Sequence, residues 1–88
     1  MYEPIYTNAF KADFKRLEKR GYDVELLEKI IDLLVNKKPL PKKHREHILK
    51  GKYGGLHECH VKPDWLLVYY YEGKAIVFAR TGTHADLF

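Results

Sequence analysis

Five histidines stand in a chain of 88 residues, and four of them, His44, His47, His57 and His60, fall within one short stretch. Imidazole is the side chain whose ordinary pKa lets it give and take protons near neutral pH. Close by in sequence or near the C-terminus are Asp64, Trp65, Arg80 and His84. Singly these have plain roles: a turn for Asp64, a core aromatic for Trp65, a surface ion pair for Arg80. Together they fit cleavage of RNA without a metal. That reaction needs a base for the 2′-OH proton, an acid for the 5′-oxygen leaving group and a cation for the charge developing on phosphorus. It also needs flat side chains to hold single-stranded bases, a part for which Trp65 is the candidate.

Other chemistries fit less well. His57 and Cys59 share a strand face, and His44 and His47 could sit one helical turn apart, yet neither pair has the spacing of a zinc ribbon or finger. With one cysteine in the chain no two-cysteine half-site can form, so neither a metal nor any other cofactor is expected. A cysteine inside a strand reads as a small buried hydrophobe rather than a nucleophile. The glycines of Gly51 to Gly55 lack the strand before and the helix after that a phosphate-cradling loop requires.

Charge is unevenly placed. The chain carries +4, but residues 37 to 52 alone hold seven Lys and Arg against the single acid Glu46, leaving the rest net acidic. Such a strap is the footprint of a protein that meets a polyanion. Lys42, Lys43, Arg45, Lys50 and Lys52 are its expected phosphate contacts, which supply affinity rather than sequence choice. The lone cysteine rules out an internal disulfide, the longest apolar run is too short to cross a bilayer, and Met1 to Tyr6 carry no basic leader. A cytoplasmic protein with no membrane partner is expected.

The elements that must position these residues follow from periodicity. Tyr2 to Tyr6 reads as a short strand held by a larger sheet. Thr7 or Asn8 caps a helix whose Phe10, Phe14 and Leu17 share one face, ending at Gly21 after Lys19 and Arg20. Asp23 caps a second helix with a stripe of Leu27, Ile30, Ile31 and Leu34, widened by Leu26 and Leu33 and stopped by Pro39 and Pro41. The joint of two or three residues predicts an antiparallel helical hairpin. After the broken, basic stretch the period changes to two: Leu56 to Val61, Trp65 to Tyr71 and Ala75 to Arg80 read as strands. The expected fold is a single α+β domain over residues 1 to 88. A short first strand and the helical hairpin precede a three-strand antiparallel meander, with the helices covering one face and the last eight residues tied back as a tail.

The string "HVKPDWLLVY", the segment "EHILKGKYGGLHECH" before it and the ending "RTGTHADLF" resemble the YafQ family of toxins from bacterial toxin-antitoxin modules, within the RelE superfamily. The likeness runs in order from His47 to Phe88, about half the chain. It implies a RelE/ParE-like fold and a metal-independent ribonuclease that cuts messenger RNA in the ribosomal A site and is silenced by a DinJ-like antitoxin. The functional histidine of the family's "DHxLxG" falls on His47, with Glu46 where the family often has aspartate. The histidine and aspartate of "HVxPDW" fall on His60 and Asp64, with Trp65 beside them. Arg80 and His84 take the places in "RTGTH", and Phe88 that of the terminal aromatic. His44 and His57 match no functional position. On this resemblance His84 is the candidate general acid and Arg80 a ligand of the scissile phosphate. His60 and His47 are candidates for base or phosphate stabiliser, and Asp64 would orient an imidazole. The rivals are a non-catalytic toxin of the ParE type that binds gyrase, and a plain RNA-binding module. Convergence of His47, His60 and His84 in one cleft separates the nuclease from the first, and full toxicity after replacement of His84 would favour either rival.

Overall fold

The computed structural model describes residues 1 to 49 and 55 to 88. Strand β1 (Glu3–Tyr6) is followed by helices α1 (Asn8–Lys19) and α2 (Val24–Val35), then a 3-10 turn at Lys42–His44. Next come β2 (His47–Ile48), β3 (His57–Lys62), β4 (Trp65–Glu72), β5 (Ala75–Gly82) and a short α3 (His84–Leu87).

Local chemistry sets the helix ends. The Thr7 hydroxyl accepts from the Phe10 N–H and so caps α1, and Asp23 accepts from the Glu25 N–H to cap α2. Gly21 takes the left-handed conformation (φ +84°) that ends α1 without the clash a Cβ would bring. At the end of α2 the Lys38 N–H reaches the Leu33 carbonyl and the Lys37 N–H reaches that of Leu34, a Schellman closure with Lys37 in the left-handed position.

The described strands form one five-stranded sheet in the order β1-β5-β4-β3-β2, with β1 parallel to β5 and the other pairs antiparallel. The expected three-strand meander is its centre, β3-β4-β5, the expected short first strand joins one edge, and β2 widens the sheet by one strand beyond the expectation on the other. On one side β2 lies within the stretch read as broken and basic; two residues are too few to show alternation. On the other, β1 depends on β5 for its pairing. Glu3 and Thr7 donate to the Lys74 and Phe78 carbonyls, which turns the Pro4 nitrogen to the outer side, where a missing N–H blunts the open edge.

Both helices cover one face. Phe10 and Leu17 of α1 and Leu27, Ile30, Ile31 and Leu34 of α2 bury against Cys59, Val61, Trp65, Leu67, Tyr69, Ile76 and Phe78. Truncating a fully buried member such as Leu27 to alanine costs about 2–5 kcal/mol. Trp65 shares the period-two face of Leu67 and Tyr69 and is only 2% exposed, with its indole N–H donated to the Thr81 hydroxyl at 3.0 Å. The expectation that it stacks a base is therefore corrected: the ring has no open face, and it belongs to the core.

One charged group sits inside this layer. Asp13 lies on the Phe10–Leu17 stripe of α1 and is buried. It accepts from Arg80 Nε (2.7 Å) and Nη2 (3.1 Å), from the Thr81 N–H (3.1 Å) and from Arg16 (3.2 Å). This clamp fixes the far end of β5 to α1, so the residues that follow Gly82 leave the sheet from a defined point.

Candidate active site

Two connections bring the polar residues together at one end of the sheet. The β3–β4 hairpin turns on Pro63 and Asp64, which projects the Asp64 carboxylate beyond the strands. From the other side β5 runs into α3, opened by a capping box: the Thr83 hydroxyl accepts from the Asp86 N–H (3.1 Å), and the Asp86 carboxylate accepts from the Thr83 N–H (3.0 Å). Gly82 permits this closure, since a Cβ there would meet Asp86 Cβ and Oδ2 at 3.0 Å. Arg20 holds Asp86 from outside at 2.9 and 3.2 Å. The tail is thus tied back, as its composition suggested, with His84 as the first helical residue.

His84 meets Asp64 twice. Its backbone N–H donates to Oδ1 at 3.1 Å, and its ring Nδ1 lies 2.5 Å from the same oxygen. A carboxylate accepts only, so Nδ1 carries the proton and Nε2 is the nitrogen that Asp64 does not engage. These donors hold the Asp64 carboxyl below the usual carboxylate range.

His60 is next in line, its ring centroid 5.8 Å from that of His84. Its Nδ1 is buried with no hydrogen-bond partner among the described residues. Burial, the largest influence, depresses its pKa; Glu58 opposes this, while His84, His47 and Arg45 add to it. A ring in this setting favours the neutral form. His47 completes the row at 6.4 Å from His60. Its Nδ1 faces the Arg45 carbonyl at 2.9 Å and its Nε2 the Glu58 carboxylate at 3.1 Å. Both partners are acceptors, and the ring is held between them.

A small cleft of about 160 Å³ opens beside His60, lined by Lys43, Arg45 and Pro63. Arg45 holds a left-handed backbone (φ +46°) without being glycine, a conformation that costs about 1 kcal/mol or more and aims its carbonyl at His47. Behind the cleft His44 Nδ1 contacts the His60 carbonyl at 2.7 Å, which docks the basic turn on β3.

The sequence-predicted residues therefore divide. His47, His60, Asp64 and His84 come together, with Lys43 and Arg45 on the same cleft. Lys42 is exposed on the 3-10 turn, and Phe88 is exposed at the end of α3. Arg80 is taken by Asp13 through two of its five N–H groups. Trp65 is in the core. Lys50 and Lys52 lie outside the described residues. Burial pushes the Cys59 thiol up to about 12, which leaves it inert. Sequence reasoning missed Asp13 and Glu58. A carboxylate at i+3 on an apolar helix stripe was the available signal for the first; Glu58, on the strand face of His60, was the signal for the second. Among the described residues no group of three or more His, Cys, Asp and Glu side chains is arranged to hold a metal ion, and no helix is long and apolar enough to cross a membrane.

The profile of the family described as the bacterial toxin of type II toxin-antitoxin system, YafQ, matches residues 2 to 88. The chain belongs to the YafQ family. It is 40% identical over 84 residues to the mRNA interferase toxin YafQ of Escherichia coli strain K12, covering 94% of this chain and 91% of that one. Among solved structures it is similar to the E. coli DinJ-YafQ complex (TM-score 0.91, 38% identity, 100% and 99% of the two chains). It is also similar to a copper-bound mutant toxin from Helicobacter pylori (TM-score 0.95, 36% identity, 100% of both chains). As a YafQ-family member the chain is a toxin of a type II toxin-antitoxin system.

Proposed function

We propose that the imidazole row is the active site at which this toxin cuts messenger RNA in the ribosomal A site, by attack of the 2′-OH on the adjacent phosphorus and without a metal. The chain is an endoribonuclease, like the mRNA interferases it resembles. The observation that carries the mechanism is the pairing of Asp64 with His84 Nδ1, because it leaves Nε2 as the nitrogen that, in the imidazolium form, gives its proton to the 5′-oxygen, the ring ending neutral with its Nδ1 proton still on Asp64. His60, kept neutral by burial, takes the 2′-OH proton. His47, held between the Arg45 carbonyl and the Glu58 carboxylate, lies with Arg45 and Lys43 where charge grows on the phosphoryl oxygens, which the cations stabilise. The N–H groups of Arg80 not used by Asp13 bind the phosphate. The basic strap with Lys42, Lys50 and Lys52 holds ribosomal RNA, and Phe88 offers an exposed ring at the His84 end of the row.

The fold reads as RelE-like, and the three converging imidazoles favour a nuclease over a ParE-type gyrase toxin, for which such a row has no use. A DinJ-like antitoxin is the silencing partner, supported by the solved DinJ-YafQ complexes of E. coli relatives. The test is the chemistry of the ends. Attack by the 2′-OH leaves a 2′,3′-cyclic phosphate or 3′-phosphate and a 5′-hydroxyl, and a 2′-deoxy nucleotide before the cut abolishes cleavage. With a short model RNA, cleavage continues in excess chelator. Fragments with 5′-phosphate ends, or loss of activity in chelator, would contradict the mechanism.

A further inference from the structure

A second concavity adjoins the row where β2 meets β3. It has a volume of about 680 Å³ and is lined by Glu46, His47, Ile48, His57 and Tyr71, within the ~300–1,000 Å³ common for small-ligand sites. Its walls are flat or apolar and open. Tyr71 is 38% exposed and Ile48 58%. The His57 ring stacks on buried Tyr69 (5.4 Å, 22° between planes), while Tyr71 stands edge-on to both (88°). The core thus fixes the plane of His57 and the angle of Tyr71. One charged acceptor is held here: Glu46 Oε2 accepts a hydrogen bond from the Tyr69 hydroxyl at 2.6 Å, which anchors the carboxylate and leaves Oε1 for another donor. His47 belongs to both this groove and the imidazole row. With Trp65 buried, the flat surface that cleavage of single-stranded RNA requires lies on other residues.

We propose that this groove is a base-reading subsite, in which a nucleobase of the cleaved strand packs against Tyr71 and His57 and donates its exocyclic amine to Glu46. Resting on the nuclease reading, the assignment adds a selectivity to it. A fixed carboxylate accepts from the exocyclic amine of adenine, cytosine or guanine and repels the two carbonyl oxygens of uracil, which has none. Stacking is tolerant of base identity, so Tyr71 and His57 supply hold and Glu46 supplies choice. The Glu46 contact with buried Tyr69 also explains why the residue before His47 is acidic within a strap that is otherwise basic.

The experiment is single-turnover cleavage on ribosomes programmed with messages in which each A-site nucleotide is varied in turn. At one position the wild-type toxin should prefer an amine-bearing base over uracil by about five- to tenfold or more. In Glu46→Gln the amide oxygen still accepts from Tyr69 while the amide nitrogen now donates, so the preference at that position should shift toward uracil and the others stay as they were. Tyr71→Leu keeps the bulk and loses the plane; it should raise the half-saturating ribosome concentration about tenfold without moving the preference. A wild type that cleaves but whose preferences Glu46→Gln leaves untouched at every position overturns the subsite alone. A wild type that cleaves no message overturns the nuclease reading itself.

Discussion

Asp13 and Asp64 each accept from a basic residue at the C-terminal end of the same chain segment, Arg80 and His84, and they do opposite things with it. The Asp13 side chain is 2% exposed and receives donors from Arg80, Thr81 and Arg16. The Asp64 side chain is 69% exposed and its described contacts both come from His84, itself 54% exposed. A carboxylate saturated by fixed donors inside the protein ties elements together. A carboxylate in water with one imidazole fixes which nitrogen of that ring faces the substrate and leaves the ring free to exchange its other proton. Burial, rather than residue type, decides which pair serves the fold and which the reaction.

The largest expected effect falls on the exposed pair. His84→Ala should lower single-turnover cleavage about 10²–10⁴-fold, the usual worth of a general acid, with thermal stability within about 0.5 kcal/mol of wild type because the ring is exposed. Asp64→Asn keeps an acceptor for His84 and loses the charge. A fall of about tenfold or more in cleavage with unchanged stability is expected there, measured by paired kinetics and thermal melts. At the buried pair the pattern should reverse. Asp13→Ala strands the Thr81 N–H, which is fully buried, and should cost about 1–3 kcal/mol of stability, or several degrees in melting temperature. If Asp13→Ala melts like wild type, the contrast between the two carboxylates collapses.

Smaller effects sharpen the comparison through pH. The folded pKa of His60 is depressed, chiefly by burial. The rising limb of kcat/KM should therefore lie below the ordinary histidine value of about 6.5, and any stability that His60 contributes is present above that value and lost as pH falls through the folded pKa. A limb at or above 6.5 would take the base role from His60. Smallest of all is the Arg20–Asp86 tie. Arg20 holds the Asp86 carboxyl down to about 2. A depressed acid stabilises above its unfolded value of about 4 and loses that contribution as pH falls toward 2. Arg20→Gln should shift the acid unfolding midpoint upward slightly, as a circular-dichroism titration would register.

How much of this was legible in the sequence depended on range. The caps at Thr7 and Asp23, the stop at Gly21 and the apolar stripes are decided within a few residues, and they read correctly. The two-residue β2 carries no period, and its pairing with β3 crosses residues 49 to 56. Asp13 finds Arg80 far along the chain, so its role depends on the tertiary packing of α1 on β5. Trp65 looked available because it stands next to Asp64, but alternation with Leu67 and Tyr69 already placed it on the core face. Asp64 stands in the turn and Trp65 opens β4, and that boundary separates the exposed carboxylate from the buried indole.

The central claim, that His84 protonates the leaving 5′-oxygen from a ring fixed by Asp64, is tested most directly by changing the leaving atom. With sulfur in place of the bridging 5′-oxygen the departing thiolate, whose conjugate acid has a pKa of about 8.5, needs no proton. The account predicts that single-turnover cleavage of the 5′-thio RNA by His84→Ala recovers to near the wild-type rate while His60→Ala stays impaired. A His84→Ala defect that persists on the sulfur substrate, or rescue of His60→Ala instead, would contradict it.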